Sequence, residues 1–367
     1  MSADPISPLL FHQGALGDTV QLTAMLQALA ARWGAPCDLV TGSAPRALID
    51  GLDCVGEVHR LGSRSMPFWA SARQRRLVAW LRRRAPSPCW VVERWRHPVA
   101  PWSRRTRMEW LLDRGGVPAR RRVSCEDLPR GPLEHAVEYQ LRLAALDPPA
   151  WAGAAAGVTA ADFRPRLAVS AEEFADCRRW LEGRGWHGEP LLLLQANARR
   201  RKRGRWPDAN WRRLVAAIRA ERPATWIALL GSPAERKQTA ALATQLAPWR
   251  VHDLAAELPL RRLLALLAIA DSLISLDSGP AHSAAALDCP VVVLQGTADP
   301  RRNRPIGGLG AVEIVTAYGD RLPDTAEEWF RRHDPAAIPV DRVFDAWRRL
   351  PAPSRGADAR RRSESRS

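Results

Sequence analysis

Short apolar runs alternate with amphipathic stretches along most of this chain. Ser7–His12, Cys37–Gly42, Cys54–His59, Pro88–Arg94 and Arg122–Ser124 hold compact runs of strand length. Thr19–Trp33, Ala44–Leu52, Ala70–Arg84, Arg104–Arg114 and Leu133–Leu146 lie between or after them with helical character. Asp147–Pro165 is rich in alanine, glycine and proline and reads as a linker. Beyond it the alternation resumes. Helices are expected over Ala171–Gly183, Trp206–Glu221, Ser232–Leu246 and Pro259–Ala270, and strands over Pro190–Gln195, Ala224–Gly231 and Arg250–Leu254. Asp271–Gly296 then reads as buried strand, tight turn, short helix (Ala281–Leu287) and second buried strand, and Pro339–Leu350 as a last helix. Continuous apolar strands alternating with helices imply parallel sheets covered on both faces. The expected organisation is two α/β domains, 1–150 and 167–335, joined by 151–166, with a C-terminal helix at 336–350 and a disordered Arg/Ser tail at 351–367.

Three strand-to-helix turns carry chemistry. In QGALGD, Gly14 and Gly17 bracket a turn that ends in Asp18; the spacing is GxxGD, not the GxGxxG of a dinucleotide site. Asp18 could equally be an ordinary acid at a helix start, which the helix dipole favours. In LDSGPAH, Asp277, Ser278, Gly279 and His282 converge on a helix start, where free N–H groups and the dipole suit an anion such as phosphate. Asn197–Arg205 follows a strand of the second half, and six of the seven residues from Arg199 to Arg205 are basic. That loop could neutralise a pyrophosphate or be a solvated charge run. All three lie where doubly wound sheets bind ligands, at the carboxyl ends of strands.

Charge adds one question. The 367 residues carry 55 Lys+Arg against 39 Asp+Glu, a net +16. Only Lys202 and Lys237 are lysines, as a GC-rich coding bias would give. Arg60–Arg107 holds thirteen arginines and one acid, Glu93, interleaved with Trp69, Trp80, Trp90, Trp95 and Trp102. Such a stretch suits an anionic membrane surface or phosphorylated acceptor, less well nucleic acid, and is otherwise a solvated face. No apolar run reaches the roughly 18 residues of a membrane span, and the N-terminus lacks the pattern of a secretory signal. Six scattered cysteines without a CxxC pair fit a reducing cytoplasm and argue against a zinc or disulfide framework. A cytoplasmic protein is expected, with peripheral contact at the inner membrane as its closest approach to lipid.

GALGDTVQLTAMLQAL, RGRWPDANWRRL, LLGSPAERKQTAAL and LDSGPAHSAAALDCPVVVLQGTADPRRNRPIG together make the chain resemble glycosyltransferase family 9, the ADP-heptose:lipopolysaccharide heptosyltransferases. The resemblance spans both halves and is most specific in the last segment. It implies a GT-B fold, two Rossmann-like domains facing across a cleft, with acceptor on the N-terminal and nucleotide-sugar donor on the C-terminal domain. It also implies inverting, metal-independent transfer of a heptose from ADP-heptose to a glycolipid or glycan acceptor, with no cofactor. Residue by residue, Asp18 matches the general base. Asp277, Ser278, Gly279 and His282 match the turn that binds diphosphate and sugar. Asn197 falls where small polar residues meet the phosphates, Glu235 where an acid holds the nucleoside, and Leu258 against the adenine. The family's lysine before the WP pair is Gly204 here, so Lys202 or Arg205 must stand in.

The chemistry is coherent apart from the family. Inverting transfer needs one base for the acceptor proton and electrostatic support for a departing diphosphate. No DxD triplet occurs to hold a metal, and no second acid pairs recognisably with Asp18. Two other readings stand beside this one: a nucleotide-sugar 2-epimerase, which would use a similar turn without an acceptor, and a basic nucleic-acid-binding protein, for which no binding motif is visible.

Overall fold

The computed structural model describes residues 6–42, 46–61, 71–84, 87–93, 106–155, 157, 163–197, 205–308, 310–319 and 321–351. The chain forms two compact units that divide between Arg166 and Leu167.

The first unit contains β1 (Leu9–His12), α1 (Leu16–Trp33), β2 (Cys37–Thr41), β3 (Val55–Arg60), α2 (Ala72–Arg83), β4 (Cys89–Val91), α3 (Arg107–Arg114), β5 (Arg122–Ser124) and α4 (Ala136–Ala144). Its sheet has the order β3-β2-β1-β4-β5, parallel throughout. β1 is central, and the chain proceeds outward from it first through β2 and then, after returning, through β4. That reversal opens a crevice at the carboxyl ends of β1 and β4. α1 ends at Gly34, whose φ of 63° is left-handed backbone that glycine adopts without a Cβ penalty. The helix expected over Ala44–Leu52 is only a 3₁₀ turn, Arg46–Leu48, in the described part of that stretch.

The Arg/Trp stretch does not make one continuous face. Trp90 is fully buried on β4, with its Nε1–H donated to the Leu143 carbonyl at 3.2 Å. Arg84 turns inward to pair with Asp38 of β2. Trp80 lies 3.9 Å from His59 and carries the Arg84 guanidinium over its ring. Arg73, Arg75, Arg76, Arg82 and Arg83 of α2 remain exposed. Trp69, Trp95 and Trp102 fall outside the described residues. The described part of Asp147–Pro165 is docked on its own unit. Asp147 pairs with Arg32 at 2.9 Å, and the Arg164 carbonyl accepts from Gln27 Nε2 at 2.8 Å.

The second unit contains α5 (Ala171–Glu182), β6 (Leu191–Gln195), α6 (Asp208–Glu221), β7 (Trp226–Leu229), α7 (Arg236–Leu246), β8 (Val251–Asp253), α8 (Leu260–Ile269), β9 (Ser272–Leu276), α9 (Gly279–Ala286), β10 (Val291–Leu294), α10 (Pro300–Asn303), β11 (Val312–Val315), α11 (Ala326–Arg332) and α12 (Val340–Arg349). The sheet order is β11-β10-β9-β6-β7-β8, again parallel throughout. Its reversal lies between β6 and β9. The unbroken LLLL and VVVL runs are explained by two cores. Leu192, Leu194, Val292 and Leu294 enter one, while Leu191, Leu193, Val291 and Val293 enter the other. Val340, Val343, Ala346 and Trp347 of α12 complete the first of these, so the last helix belongs to this unit's core.

Among the described residues, two ion pairs tie α5 to α8, Arg262 with Asp176 and Arg261 with Glu173. Arg261 Nε donates to Glu173 Oε1 at 2.6 Å, and the Ser170 N–H donates to Glu173 Oε2 at 2.9 Å. Hydrogen bonding by Arg261, helped by the Ser170 N–H, pulls the Glu173 carboxyl from 4.5 down to about 2. A carboxyl depressed on folding stabilises above its unfolded pKa, and that gain is lost as pH falls through the folded value. Glu173→Gln should therefore cost about 1–2 kcal/mol of unfolding free energy at pH 7. The gap to wild type should close as denaturant titrations are taken towards pH 2; a gap independent of pH would assign the effect to packing.

Candidate active site

β9 is buried throughout and ends at Leu276, so Asp277 is the first residue free to leave the sheet. Its N–H donates to the Leu294 carbonyl at 3.1 Å, and its Oδ2 lies 3.5 Å from Gln295 Nε2. Gly296 makes room beside it: a Cβ there would stand 3.1 Å from Asp277 Cβ and Oδ2. Ser278 caps α9 with extended backbone, and its Oγ meets Ser275 Oγ at 3.0 Å. The supply of free N–H groups is smaller than a generic helix start provides. Pro280 has none, and the Ala281 and His282 N–H groups both point to the Ser278 carbonyl, which leaves the Ser278 and Gly279 N–H groups as the donors of this turn. Asp277, Ser278 and Gly279 are half-buried at the surface of the crevice, whereas His282 is 5% exposed inside the helix.

β6 ends on the other side of the same crevice. Gln195 and Asn197 are buried there, with Gln195 Nε2 donating to the Asn197 carbonyl at 2.7 Å. Asn197 Nδ2 donates one N–H to Thr239 Oγ1 at 2.8 Å, so this amide braces α7. Glu235 closes the neighbouring β7 loop. One of its oxygens, Oε2, accepts from both the N–H and the hydroxyl of Ser232, at 2.8 and 2.7 Å. Leu258 is half-buried between β8 and α8, packed against the core. Arg205 pairs with Asp208 at 2.8 Å. That pair is exposed and worth under about 1 kcal/mol, so a phosphate could displace it. Lys202 lies outside the described residues. Thus the ends of β6, β7, β8 and β9 gather Asn197, Glu235, Leu258 and Asp277–Gly279 on one edge of one sheet.

Several buried polar residues on this edge carry no expectation from sequence. Gln195 and Gln295 each close an apolar strand run, and the Gln295 Nε2–H donates to the Ala298 carbonyl at 2.8 Å. His333 accepts the Ala317 N–H at 3.3 Å and stacks on Trp329. Burial pushes it down to about 4, which keeps it neutral at physiological pH.

In the first unit, Asp18 stands at the third position of α1 and is exposed; its Oδ2 accepts the Ala15 N–H at 2.8 Å. Gly17 is in the same turn. Gly14 is required by crowding, since a Cβ there would come within 2.5 Å of Asp18 Cβ. Beside this turn, Glu93 Oε1 lies 2.9 Å from His12 Nδ1. Neither residue was expected, although each is the polar residue that closes or follows an apolar strand run. Among the described residues, no three His, Cys, Asp or Glu side chains are grouped to hold a metal ion, and no helix is long and apolar enough to cross a membrane.

The sequence profile of glycosyltransferase family 9 (heptosyltransferase) matches residues 123–318, just over half of the chain. This chain belongs to glycosyltransferase family 9. The match takes in the whole second sheet and the Asp277–His282 turn, but not the Gly14–Asp18 turn. Lipopolysaccharide heptosyltransferase 1 of Escherichia coli O18:K1:H7 (strain RS218 / NMEC) is 33% identical over 141 residues, 37% of this chain and 39% of that protein. The family 9 member thus spans about two-fifths of the length of the curated relatives it matches. Likeness of fold extends further. The glycosyl transferase family 9 protein of Veillonella parvula DSM 2008 superposes with a TM-score of 0.74 at 14% identity, over 95% of this chain and 98% of that one. The E. coli ADP-heptose lps heptosyltransferase II gives 0.70 at 19% identity, over 94% and 98%. Two parallel-sheet α/β domains of the GT-B kind are therefore the fold of this family 9 chain.

Proposed function

We propose that this family 9 protein is an inverting, metal-independent glycosyltransferase. It moves a heptose, or a related sugar, from ADP-heptose to a lipopolysaccharide core or similar glycan acceptor, without a cofactor. The observation that carries the reading is the β9–α9 turn. It sits at the chain reversal of the second sheet, inside the segment the family profile matches, with Asp277, Ser278 and the Gly279 N–H half-buried around one point. A half-helix dipole and that N–H favour the donor diphosphate. Arg205, released from Asp208, would add positive charge as the diphosphate leaves, with Lys202 as the other cation of that loop. Glu235 keeps Oε1 for a ribose hydroxyl, and Leu258 offers an apolar edge to the base. His282, being buried, acts by supporting the turn rather than by meeting the sugar.

On the acceptor side, Asp18 takes the hydroxyl proton while the acceptor oxygen bonds to the anomeric carbon. The bonding pair of the broken C–O bond departs with ADP. The exposed arginines of α2 suit a peripheral approach to an anionic membrane surface from the cytoplasm. Calorimetry with ADP, UDP, GDP and their sugars tests the donor half. ADP-heptose should bind, and Asp277→Ala should weaken it by about 1.5–3 kcal/mol, ten- to a hundredfold, with the fold intact. Unchanged affinity in Asp277→Ala would remove this turn from the site.

A further inference from the structure

The crevice of the first sheet holds an arrangement that the proposed chemistry has not yet used. His12 is the last residue of β1, and Glu93 lies two residues beyond β4, its neighbour at the chain reversal. Glu93 grips the β1–α1 turn with both oxygens. Oε2 accepts the Gln13 N–H at 2.6 Å, and Oε1 stands 2.9 Å from His12 Nδ1. The Ala15 N–H, two residues on, is held by the Asp18 carboxylate at 2.8 Å. Two carboxylates therefore clamp alternate N–H groups of one turn, with Gly14 between them.

His12 is 2% exposed, and its Nδ1 is held 2.9 Å from Glu93 Oε1. Its ring presses on Gly14: a Cβ there would come within 2.6 Å of His12 Cε1 and Nε2, and within 2.5 Å of Asp18 Cβ. The imidazole and Asp18 thus flank a single point that only a glycine leaves open. An apolar ring would fill the same space but could not engage the Glu93 carboxylate, so the imidazole ties the packing under Gly14 to Glu93. Glu93 also lines a cavity of about 400 Å³ together with Arg122, Ser124 and Glu126, so this carboxylate borders space that a ligand can enter.

We propose that Glu93 and His12 are positioning residues for Asp18. Glu93 fixes the turn from the β4 side, His12 fills the space beneath Gly14, and together they set where the Asp18 carboxylate meets the acceptor hydroxyl. No proton passes through the pair. The inference rests on Asp18 being the base, and the experiment separates the two claims.

Transfer from ADP-heptose to a lipopolysaccharide core acceptor in detergent is measured for His12→Phe, Glu93→Ala and Glu93→Gln, each alone and combined with Asp18→Asn. His12→Phe and Glu93→Ala should each lower kcat about 10–30-fold, as expected when a reacting group is misplaced by a fraction of an ångström. ADP-heptose affinity, which belongs to the second unit, should not move. Glu93→Gln, which still accepts the Gln13 N–H, should recover part of the Glu93→Ala loss. In the double variants, no loss beyond that of Asp18→Asn alone should appear, because the pair acts through that side chain. Multiplying losses in the double variants would overturn the proposal while leaving the base assignment standing, as would turnover within twofold of wild type in both His12→Phe and Glu93→Ala. Wild-type turnover in Asp18→Asn would remove the base assignment, and this proposal with it.

Discussion

Asp18→Asn should lower kcat by about 10²–10⁴-fold, the usual contribution of a general base, while donor affinity and the unfolding midpoint stay in place. The substitution is a clean one here. Asp18 is exposed, and its one side-chain hydrogen bond among the described residues is the one its Oδ2 accepts from the Ala15 N–H. An asparagine carbonyl can accept the same bond, so the helix start survives while the charge and the proton-accepting oxygen are lost. The measurement is single-turnover transfer to a lipid acceptor mimic, with ADP-heptose binding followed alongside. Transfer within a few-fold of wild type would leave Asp18 as an ordinary acid in the first turn of a helix.

A second large effect concerns stability. Trp206→Ala should destabilise the second unit by about 3–5 kcal/mol, the range for removing a buried aromatic side chain. Trp206 is fully buried just before α6, edge-to-face with Trp211 at 4.9 Å between ring centres. Its Nε1–H donates to the Ile338 carbonyl at 2.9 Å. Trp206→Phe keeps most of the volume but orphans that carbonyl, so its cost should be nearer 1–3 kcal/mol. Urea titrations of the three proteins give the ordering. A Trp206→Ala loss below 1 kcal/mol, against this expectation, would mean that the core closes over the gap. Because Trp206 ends the basic loop, the same substitution should also loosen whatever hold Arg205 has on a donor.

Much of the architecture is legible in the sequence because the second sheet is buried on both faces. A run such as Leu191–Leu194 has no amphipathic alternative, and Pro280 and Gly279 mark where the following helix begins. The sequence does not announce β11, whose Val312–Val315 run is interrupted by Glu313, a half-buried residue that pairs with Arg349. Nor does it announce the short α10 and α11. Trp206 is expected inside a helix and instead precedes it, since Pro207 occupies the N-cap position and Asp208 is the first helical residue.

The site divides in the same way. Asp18 and Asp277 are legible because each follows an apolar strand at a glycine turn. Arg205 had a local signal for its partner, Asp208 three residues on. Asn197 had none, since Thr239 is 42 positions away. Gln195, Gln295, His12 and Glu93 were overlooked although each closes or follows an apolar run. A polar residue at the carboxyl end of a parallel strand lies where ligands bind, whatever its type.

The last helix has a consequence for the order of assembly. A chain leaves the ribosome from its N-terminus, and domains fold as units once their parts have emerged. The first unit ends at Arg166 and so emerges in full before the second begins. The second shares one core between β6, Trp206 and α12, so the apolar face around β9 and β10 stays uncovered until Val340–Trp347 has been synthesised. Between the synthesis of β9 and that of α12, the growing second sheet therefore carries an apolar face that waits for its cover, and that interval is where a chaperone would find it.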